Sequence, residues 1–600
     1  MFKRFLAEHS FSEYNFNADM LPTVSERELW ESFANNGCIE KAEKEIDYVW
    51  PTIRATDFME FIKSGKRISE GVHNEKIAKL TLFVYAELAE NKGRFLGQIV
   101  NGLLSVCEET TWCSSAHWAD EIPKNLHSVT EPYVDLISAE SGAQLAAIIT
   151  VLREPLMDFC PEIVERVEYE LEYRIKSVYL AHKDYWWMGY GKRIPNNWNP
   201  WIISNVMTIF IITEKDKARL HESLEKMFVE LQHYYDGMPD DGGCDEGPGY
   251  WGRAGASLFE CVYQLKEATG GKLDLFMDKK LGKIGAFLKF VHISKDYFAS
   301  VADSHYVPNA FSMIFTYAVG KETDQPDLMN FAATVYRERS TEINPTHYSN
   351  TNLRRMLYGR AFFDELKAYE PTKPAHTGLE ILPDVELAAI RKDDLLIFAK
   401  GGHNDESHNH NDIGSYTLYD GTAAVLVDVG IGVYTRFTFS EHRYDMIPWV
   451  KAENHVLPSF DGITQRCGRE YRADSFSATD EEISISFASA YPKEAELLSL
   501  ERKLSFTESG IRCVDSFARK DAKQGSVRET LMCVLPVENV DNTVVIGGKY
   551  RVSTSAGIIS TEFIKFDDVS LEHSWKTDGV TRICIDADGV DELEIRVDII

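Results

Sequence analysis

At 600 residues the chain exceeds what one hydrophobic core holds, so at least two domains are expected. Hydrophobic content of 44% and aromatic content of 12% exclude a disordered chain. A formal charge of −30 excludes a general basic surface for nucleic acid, and an acidic ligand would need a local island of positive charge.

Up to about residue 368 the apolar residues recur mostly with the helical period. Ser25 and Glu28 read as a capping box before an apolar run. Ile77, Leu80, Val84 and Leu88 mark one helix face, with Gly93 placed to close the helix. Pro161 suits a first helical turn, and Val164, Val167, Leu171 and Val178 continue a stripe beyond it. Further amphipathic segments are expected near 139–153, 215–234, 253–268 and 309–319. AYEPTKPAHTG (368–378) then breaks the pattern and reads as a linker. After it the period changes to two. Strands are expected over 394–400, 423–430, 482–491, 511–518, 530–537 and 542–548, separated by Gly, Asp and Asn turns. No crossover helices intervene, which predicts antiparallel pairing. The expected domains are therefore helical over 1–370 and antiparallel β over 379–600.

The ten cysteines are scattered without a CxxC pair and read as reduced, mostly buried thiols. The opening MFKRFLAEHSFSEY has no apolar h-region, and no stretch approaches the ~20 apolar residues of a membrane span. The expectation is a cytoplasmic protein without a membrane partner, or a secreted or periplasmic one if a signal peptide has been trimmed. A homo-oligomer stays open.

Three stretches concentrate chemistry. GGHNDESHNHND (401–412) crowds histidine, asparagine and aspartate. Imidazole titrates near neutrality and is a leading metal ligand. On a strand His408 and His410 would share a face, whereas in a loop they would diverge to separate tasks. Asp428 interrupts the apolar AAVLVDVG, where an unpartnered carboxylate is costly to bury, and His455 in KAENHVLPSFDG is placed to meet it. Two histidines, an aspartate and a water make a reasonable zinc set. A polar hydrogen-bonded turn is the competing reading. In PNNWNPW (195–201), asparagine amides beside Trp198 suit a polar sugar with an apolar face, or simply a turn with packed tryptophans. In CDEGPGYWGRAG (244–255), glycines around Pro248 imply a tight loop before a helix. Tyr250 there is a candidate proton donor or base, and Arg253 would supply positive field; a tyrosine packed at a helix start is the bland alternative.

Together SHNHND, EGPGYW and NNWN resemble the heparinase II/III-like polysaccharide lyases, in the same order on both sides of the linker. The resemblance implies an incomplete N-terminal (α/α) toroid followed by a C-terminal antiparallel β-sandwich. It implies that Asn197 neutralises a uronate carboxylate, that Tyr250 is the catalytic tyrosine and that His408 stands opposite it. His410, Asp428 and His455 match the family's metal triad, usually a structural Zn2+, and Asn199, Trp251 and Arg253 are expected to bind substrate. Where some relatives have a histidine beside the neutralising asparagine, Trp198 follows Asn197 here, so Asn196 or Asn199 is an alternative for that role.

The implied reaction is β-elimination on a uronic-acid polysaccharide or oligosaccharide, glycosaminoglycans first and alginate behind, leaving a 4,5-unsaturated uronate. The C5 proton is weakly acidic because its loss adds charge to a carboxylate, so that carboxylate must be neutralised first, a contribution of ~3–4 kcal/mol per well-aimed donor. Tyr250 or His408 would take the proton, and Tyr250 would return one to O4. The metal would brace the segment that aims His408. Trp186, Trp187, Trp198, Trp201 and Trp251 would stack on sugars or pack in the core. Two other classes compete. A toroid glycoside hydrolase would use a carboxylate pair drawn from Asp241, Asp245 and Glu246. A non-catalytic glycan-binding protein would bind and never cleave.

Overall fold

The computed structural model describes residues 1–600 apart from 33, 35–36, 118–124, 305–311, 340–351, 373–377 and 521–524. The chain forms two compact units. One comprises Met1–Met238, Arg253–Lys279 and Glu342–Ala368; the other comprises Pro239–Gly252, Lys280–Thr341 and Tyr369–Ile600.

The first unit is helical. Leu136–Val151 and Trp198–Thr213 pack against each other and are apolar on nearly every side, so both are core helices; each fully buried Leu or Ile contributes ~1.5–3 kcal/mol. Around them lie the amphipathic helices Pro161–Leu171, Lys217–Gly237 and Gly255–Ala268. Pro161 occupies the first helical position as expected, and the helix runs on through a π-turn at Glu172–Lys176 into Ser177–Ala181. No single helix among the described residues is long and apolar enough to cross a membrane.

Two caps differ from expectation. Ser25 does not cap: the helix begins at Arg27, and the Ser25 hydroxyl pairs with that of Thr23 at 2.6 Å. One capping box that does form is at Asp135, whose carboxylate accepts the Ser138 N–H at 2.7 Å while Ser138 Oγ accepts the Asp135 N–H. Ile77, Leu80, Val84 and Leu88 are buried on Ile68–Glu90 as predicted, but Asn91, at φ 50°, ends that helix two residues before Gly93. Glu87 competes for the terminus by accepting the Gly93 and Phe95 N–H groups.

In the second unit the short helix Gly247–Trp251 and the longer helices Lys279–Val291 in large part, Ser312–Glu322 and Pro326–Glu338 precede the large sheets. Residues 309–311 of an expected helix, and 373–377 of the linker, lie outside the described residues. A two-stranded hairpin, His292–Ser294 with Tyr297–Phe298, precedes Ala368, after which strands predominate, and every described strand pair is antiparallel. A five-stranded sheet runs Leu379–Leu382, Leu387–Lys392, Leu395–Lys400, Tyr416–Asp420, Ala423–Leu426 in spatial order. An eight-stranded sheet is centred on Leu497–Phe506, Gly510–Arg519 and Glu592–Ile599, and a four-stranded sheet on Gly579–Asp588 and Ser526–Cys533. Their inner faces share one core that includes Ile397, Leu418, Val456, Phe460, Leu504, Leu531 and Ile583. Three expected strands are shorter than their apolar runs, and the one expected over 423–430 ends at Leu426. Glu482–Ser486 stops before a 3-10 turn at Ala488–Ala490, and Ser526–Cys533 ends before Val537 opens another strand. All ten cysteines are free, and all but Cys160 and Cys467 are buried.

One polar group is set into this core. Arg502 is fully buried opposite Asp515 across the ladder, bonds its carboxylate at 2.6 Å and that of Glu529 at 2.8 Å, and donates to the Gly414 and Val456 carbonyls. Removing the cation strands two buried carboxylates. Arg502→Met is therefore expected to lower the stability of the β-rich unit by about 3–5 kcal/mol, read by denaturant unfolding.

Candidate active site

The groups expected to carry chemistry in EGPGYW and SHNHND meet within the second unit. Tyr250 sits on the short helix Gly247–Trp251, with Pro248 in its first turn. Gly247 is at φ 77°, and a Cβ there would lie 2.2 Å from the Val301 carbonyl oxygen, so only glycine lets this loop close on the 299–304 segment. The Gly249 N–H donates to Ser304 Oγ at 3.1 Å, tying Tyr250 to the segment that holds Asp303.

His408 lies in a loop at φ 58°, a left-handed conformation unfavourable to a side-chain-bearing residue. That twist resolves the two readings of the histidine pair: His408 and His410 diverge. The imidazole of His408 stacks on the Tyr250 ring with centroids 4.1 Å apart and planes 25° apart. Its Nδ1 bonds Asp303 Oδ2 at 2.8 Å, and its Nε2 faces Glu246 Oε2 at 3.4 Å. Burial alone would push the imidazole pKa down, but the Asp303 hydrogen bond and the Glu246 carboxylate facing Nε2 outweigh it and hold it up at about 9. Tyr434 completes the group: its hydroxyl is 2.6 Å from that of Tyr250 and donates to Asp303 Oδ2 at 3.0 Å. Burial and the Asp303 charge push the Tyr434 phenol well up.

Asp303 is buried, and burial works to raise its pKa. Hydrogen bonds from His408 and His410 and the charge of Arg443 win, and hold the carboxyl well below the usual range. Arg443 Nη2 donates to Asp303 Oδ1 at 2.6 Å and to the His408 carbonyl at 3.3 Å, so one guanidinium grips both the carboxylate and the histidine loop.

His410, Asp428 and His455, assigned to a metal by resemblance, converge: one ligand atom from each lies within 4.8 Å of the others, and all three are buried. His410 Nδ1 is 3.9 Å from Asp428 Oδ1, and His455 Nδ1 is 3.2 Å from Asp428 Oδ2. His410 Nδ1 and His455 Nε2 have no hydrogen-bond partner among the described residues. Buried imidazole nitrogens left in this way, beside a carboxylate, fit a divalent cation, and two imidazoles with one carboxylate suit zinc.

Asn197, Asn199 and Arg253 belong to the helical unit. Asn197 is the buried N-terminal cap position of Trp198–Thr213. Asn199 is fully buried, and its amide nitrogen donates to the Trp187 carbonyl at 2.9 Å and the Glu230 carbonyl at 3.0 Å. Arg253 lies over the Trp201 ring at 4.2 Å and 3.3 Å from Glu140. Half-buried Trp186 stacks beneath Arg193 at 3.9 Å and beside Trp198 at 5.1 Å, while Trp187 is core. Trp251, in the second unit, is fully buried with its indole N–H on the Ile284 carbonyl.

Three participants escaped the sequence reading: Asp303, Tyr434 and Arg443. Asp303 stands in a short mixed loop, ASVADS, without a motif, and Tyr434 and Arg443 end the aromatic-rich run YTRFTFSEHR, which carries no period. What the arrangement offers is a tyrosine hydroxyl and an imidazole side by side, the latter engaged by carboxylates at both nitrogens.

No family model matches the chain, and no curated protein matches it in sequence. Its fold is similar to solved structures of polysaccharide lyases. A heparinase III gene product aligns at TM-score 0.61 and 12% identity over 96% of this chain and 91% of that one. Heparan sulfate lyase from Pedobacter heparinus aligns at 0.57 and 12% over 92% and 78%. Chondroitin AC lyase of Streptomyces coelicolor A3, solved with chondroitin sulphate, aligns at 0.51 and 9% over 91% and 78%. The likeness to heparinase-type lyases carried by SHNHND and EGPGYW thus extends to the fold, a helical toroid followed by an antiparallel β-sandwich.

Proposed function

We propose that the protein is a polysaccharide lyase that cleaves uronic-acid-containing glycans, glycosaminoglycans first, by β-elimination to 4,5-unsaturated uronates. The observation that carries this reading is the Tyr250–His408 pair, stacked at 4.1 Å and fixed by Asp303 and Glu246, in a chain with the fold of lyases.

With both nitrogens of His408 facing carboxylate oxygens, the Tyr250 hydroxyl is the group that moves protons. Entering as the phenolate, Tyr250 takes the C5 proton; the C5–H electron pair becomes the C4–C5 double bond, the C4–O4 bond breaks, and the same proton passes from Tyr250 to the departing O4, which regenerates the phenolate. His408 lies against the same ring and stabilises the charge that grows on the sugar carboxylate, a contribution electrostatics makes large where water is excluded. Neutralisation by the Asn197 amide is retained in this reading on the strength of the resemblance. His410, Asp428 and His455 would hold a divalent metal, Zn2+ by their donor set, whose chemistry there is that of a structural tie rather than a Lewis acid. Against the hydrolase alternative, each carboxylate named for it is engaged: Asp241 accepts the Gly243 N–H at 2.8 Å and the Asp384 N–H at 2.6 Å. Glu246 faces His408, and Asp245, pushed up to about 6 by burial and the Glu246 charge, accepts the Ser407 N–H at 3.1 Å.

A panel of hyaluronan, chondroitin, heparan sulfate and alginate polymers and oligomers, followed by ultraviolet absorbance of the conjugated uronate and by product mass, tests the reading. Tyr250→Phe and His408→Ala should each lower kcat on the best substrate by ~100- to 10,000-fold. Binding without any unsaturated product across the panel, or a Tyr250→Phe protein as active as the parent, contradicts it. Chelation is expected to lower the midpoint of thermal unfolding, with recovery on adding Zn2+. At free metal one hundred times Kd the loss corresponds to about 3 kcal/mol, measured by scanning calorimetry.

A further inference from the structure

Asp303 moves no proton in the scheme above, yet it touches both halves of the site. Its Oδ2 accepts from His408 Nδ1 at 2.8 Å and from the Tyr434 hydroxyl at 3.0 Å. Its Oδ1 accepts from His410 Nε2 at 3.1 Å and from Arg443 at 2.6 Å. A carboxylate accepts and does not donate, so the His410 proton resides on Nε2 and its lone pair on Nδ1. Among the described residues Nδ1 has no hydrogen-bond partner, and it faces Asp428 and the His455 cluster. The tautomer that binds Asp303 is therefore the one that presents a ligand atom to a metal.

The carboxylate is also rigid: its two oxygens share one plane, and neither can turn without the other. A cation that fixes the His410 ring fixes Oδ1, and with it the plane on which His408 rests through Oδ2. We propose that Asp303 is a positioning residue that couples the metal centre to His408, so that loading Zn2+ at His410, Asp428 and His455 sets the orientation of the imidazole stacked on Tyr250. The inference rests on the metal assignment made above, and its bearing on turnover rests on the lyase reading. Arg443 is the competing device, because it grips Oδ1 and the His408 carbonyl and could hold the carboxylate with no metal bound.

The experiment is a Zn2+ titration of the full chain against a chromophoric chelator, paired with NMR of histidine rings labelled at Cε1, the His408 resonance being identified by its loss in His408→Asn. In the parent protein the His408 signal is expected to move on adding Zn2+, although His408 is not a ligand. In Asp303→Asn the Zn2+ affinity is expected to fall ~10- to 100-fold, and His408 to stop responding even at saturating metal. His408→Asn keeps Asp303 in place and suits the left-handed backbone, so it guards against a misfolded Asp303 variant. Because coupling is reciprocal, it should itself change the Zn2+ affinity by about fivefold or more. Parent protein that binds no Zn2+, an Asp303→Asn protein that binds it as tightly as the parent, or a His408 signal that responds equally in both overturns the proposal. The Asp303 dependence seen in a protein that eliminates no glycan supports the coupling while removing the lyase reading.

Discussion

A single buried carboxylate sets the geometry of the candidate site. Asp303 draws His408, His410, Tyr434 and Arg443 onto two oxygens, and these residues come from segments more than a hundred positions away in the chain. Burying that charge without partners would be prohibitive, and four donors with a guanidinium among them reverse the sign. The rest of the unit serves this point. Gly247 lets the Tyr250 loop settle against the 299–304 segment, Arg443 ties the histidine loop to the same carboxylate, and the antiparallel core holds Asp428 and His455 beneath.

The loop of His408 illustrates the cost and its compensation. A histidine in the left-handed region is strained, and the strain persists because hydrogen bonds to the ring and to the backbone carbonyl over-determine it. What the twist achieves is a division of labour between neighbours two apart in sequence. One imidazole stacks on Tyr250 and the other points toward Asp428. On a flat strand both would have faced the same way.

Much of this was legible before any coordinates. The change from helical to twofold periodicity near residue 368 marks where strands come to predominate, although a short hairpin at 292–298 precedes it, and SHNHND with EGPGYW marks the two loops that meet. The convergence of His410, Asp428 and His455 follows the residues the resemblance named. The misses have physical reasons. Capping depends on where the backbone turns, so Ser25 and Glu28 had the right letters and Asp135 with Ser138 had the right geometry. Asn91 ends a helix as well as glycine because its short polar side chain tolerates the left-handed region. Asp303 was illegible because nothing in the short run ASVADS distinguishes its aspartate. Its importance is in what the fold brings to it, inside a buried loop of mixed Ala, Val and Ser.

The central claim is that glycan cleavage here proceeds by elimination at Tyr250 and His408 rather than by addition of water. Elimination leaves the bridging oxygen on the anomeric carbon of the neighbouring sugar, whereas hydrolysis places a solvent oxygen there. Cleaving a uronate oligosaccharide in water enriched in heavy oxygen, with mass analysis of early products, distinguishes the two directly. The account predicts unlabelled fragments, one of them carrying a double bond and lacking the mass of water; heavy oxygen at the new reducing end of saturated fragments would contradict it.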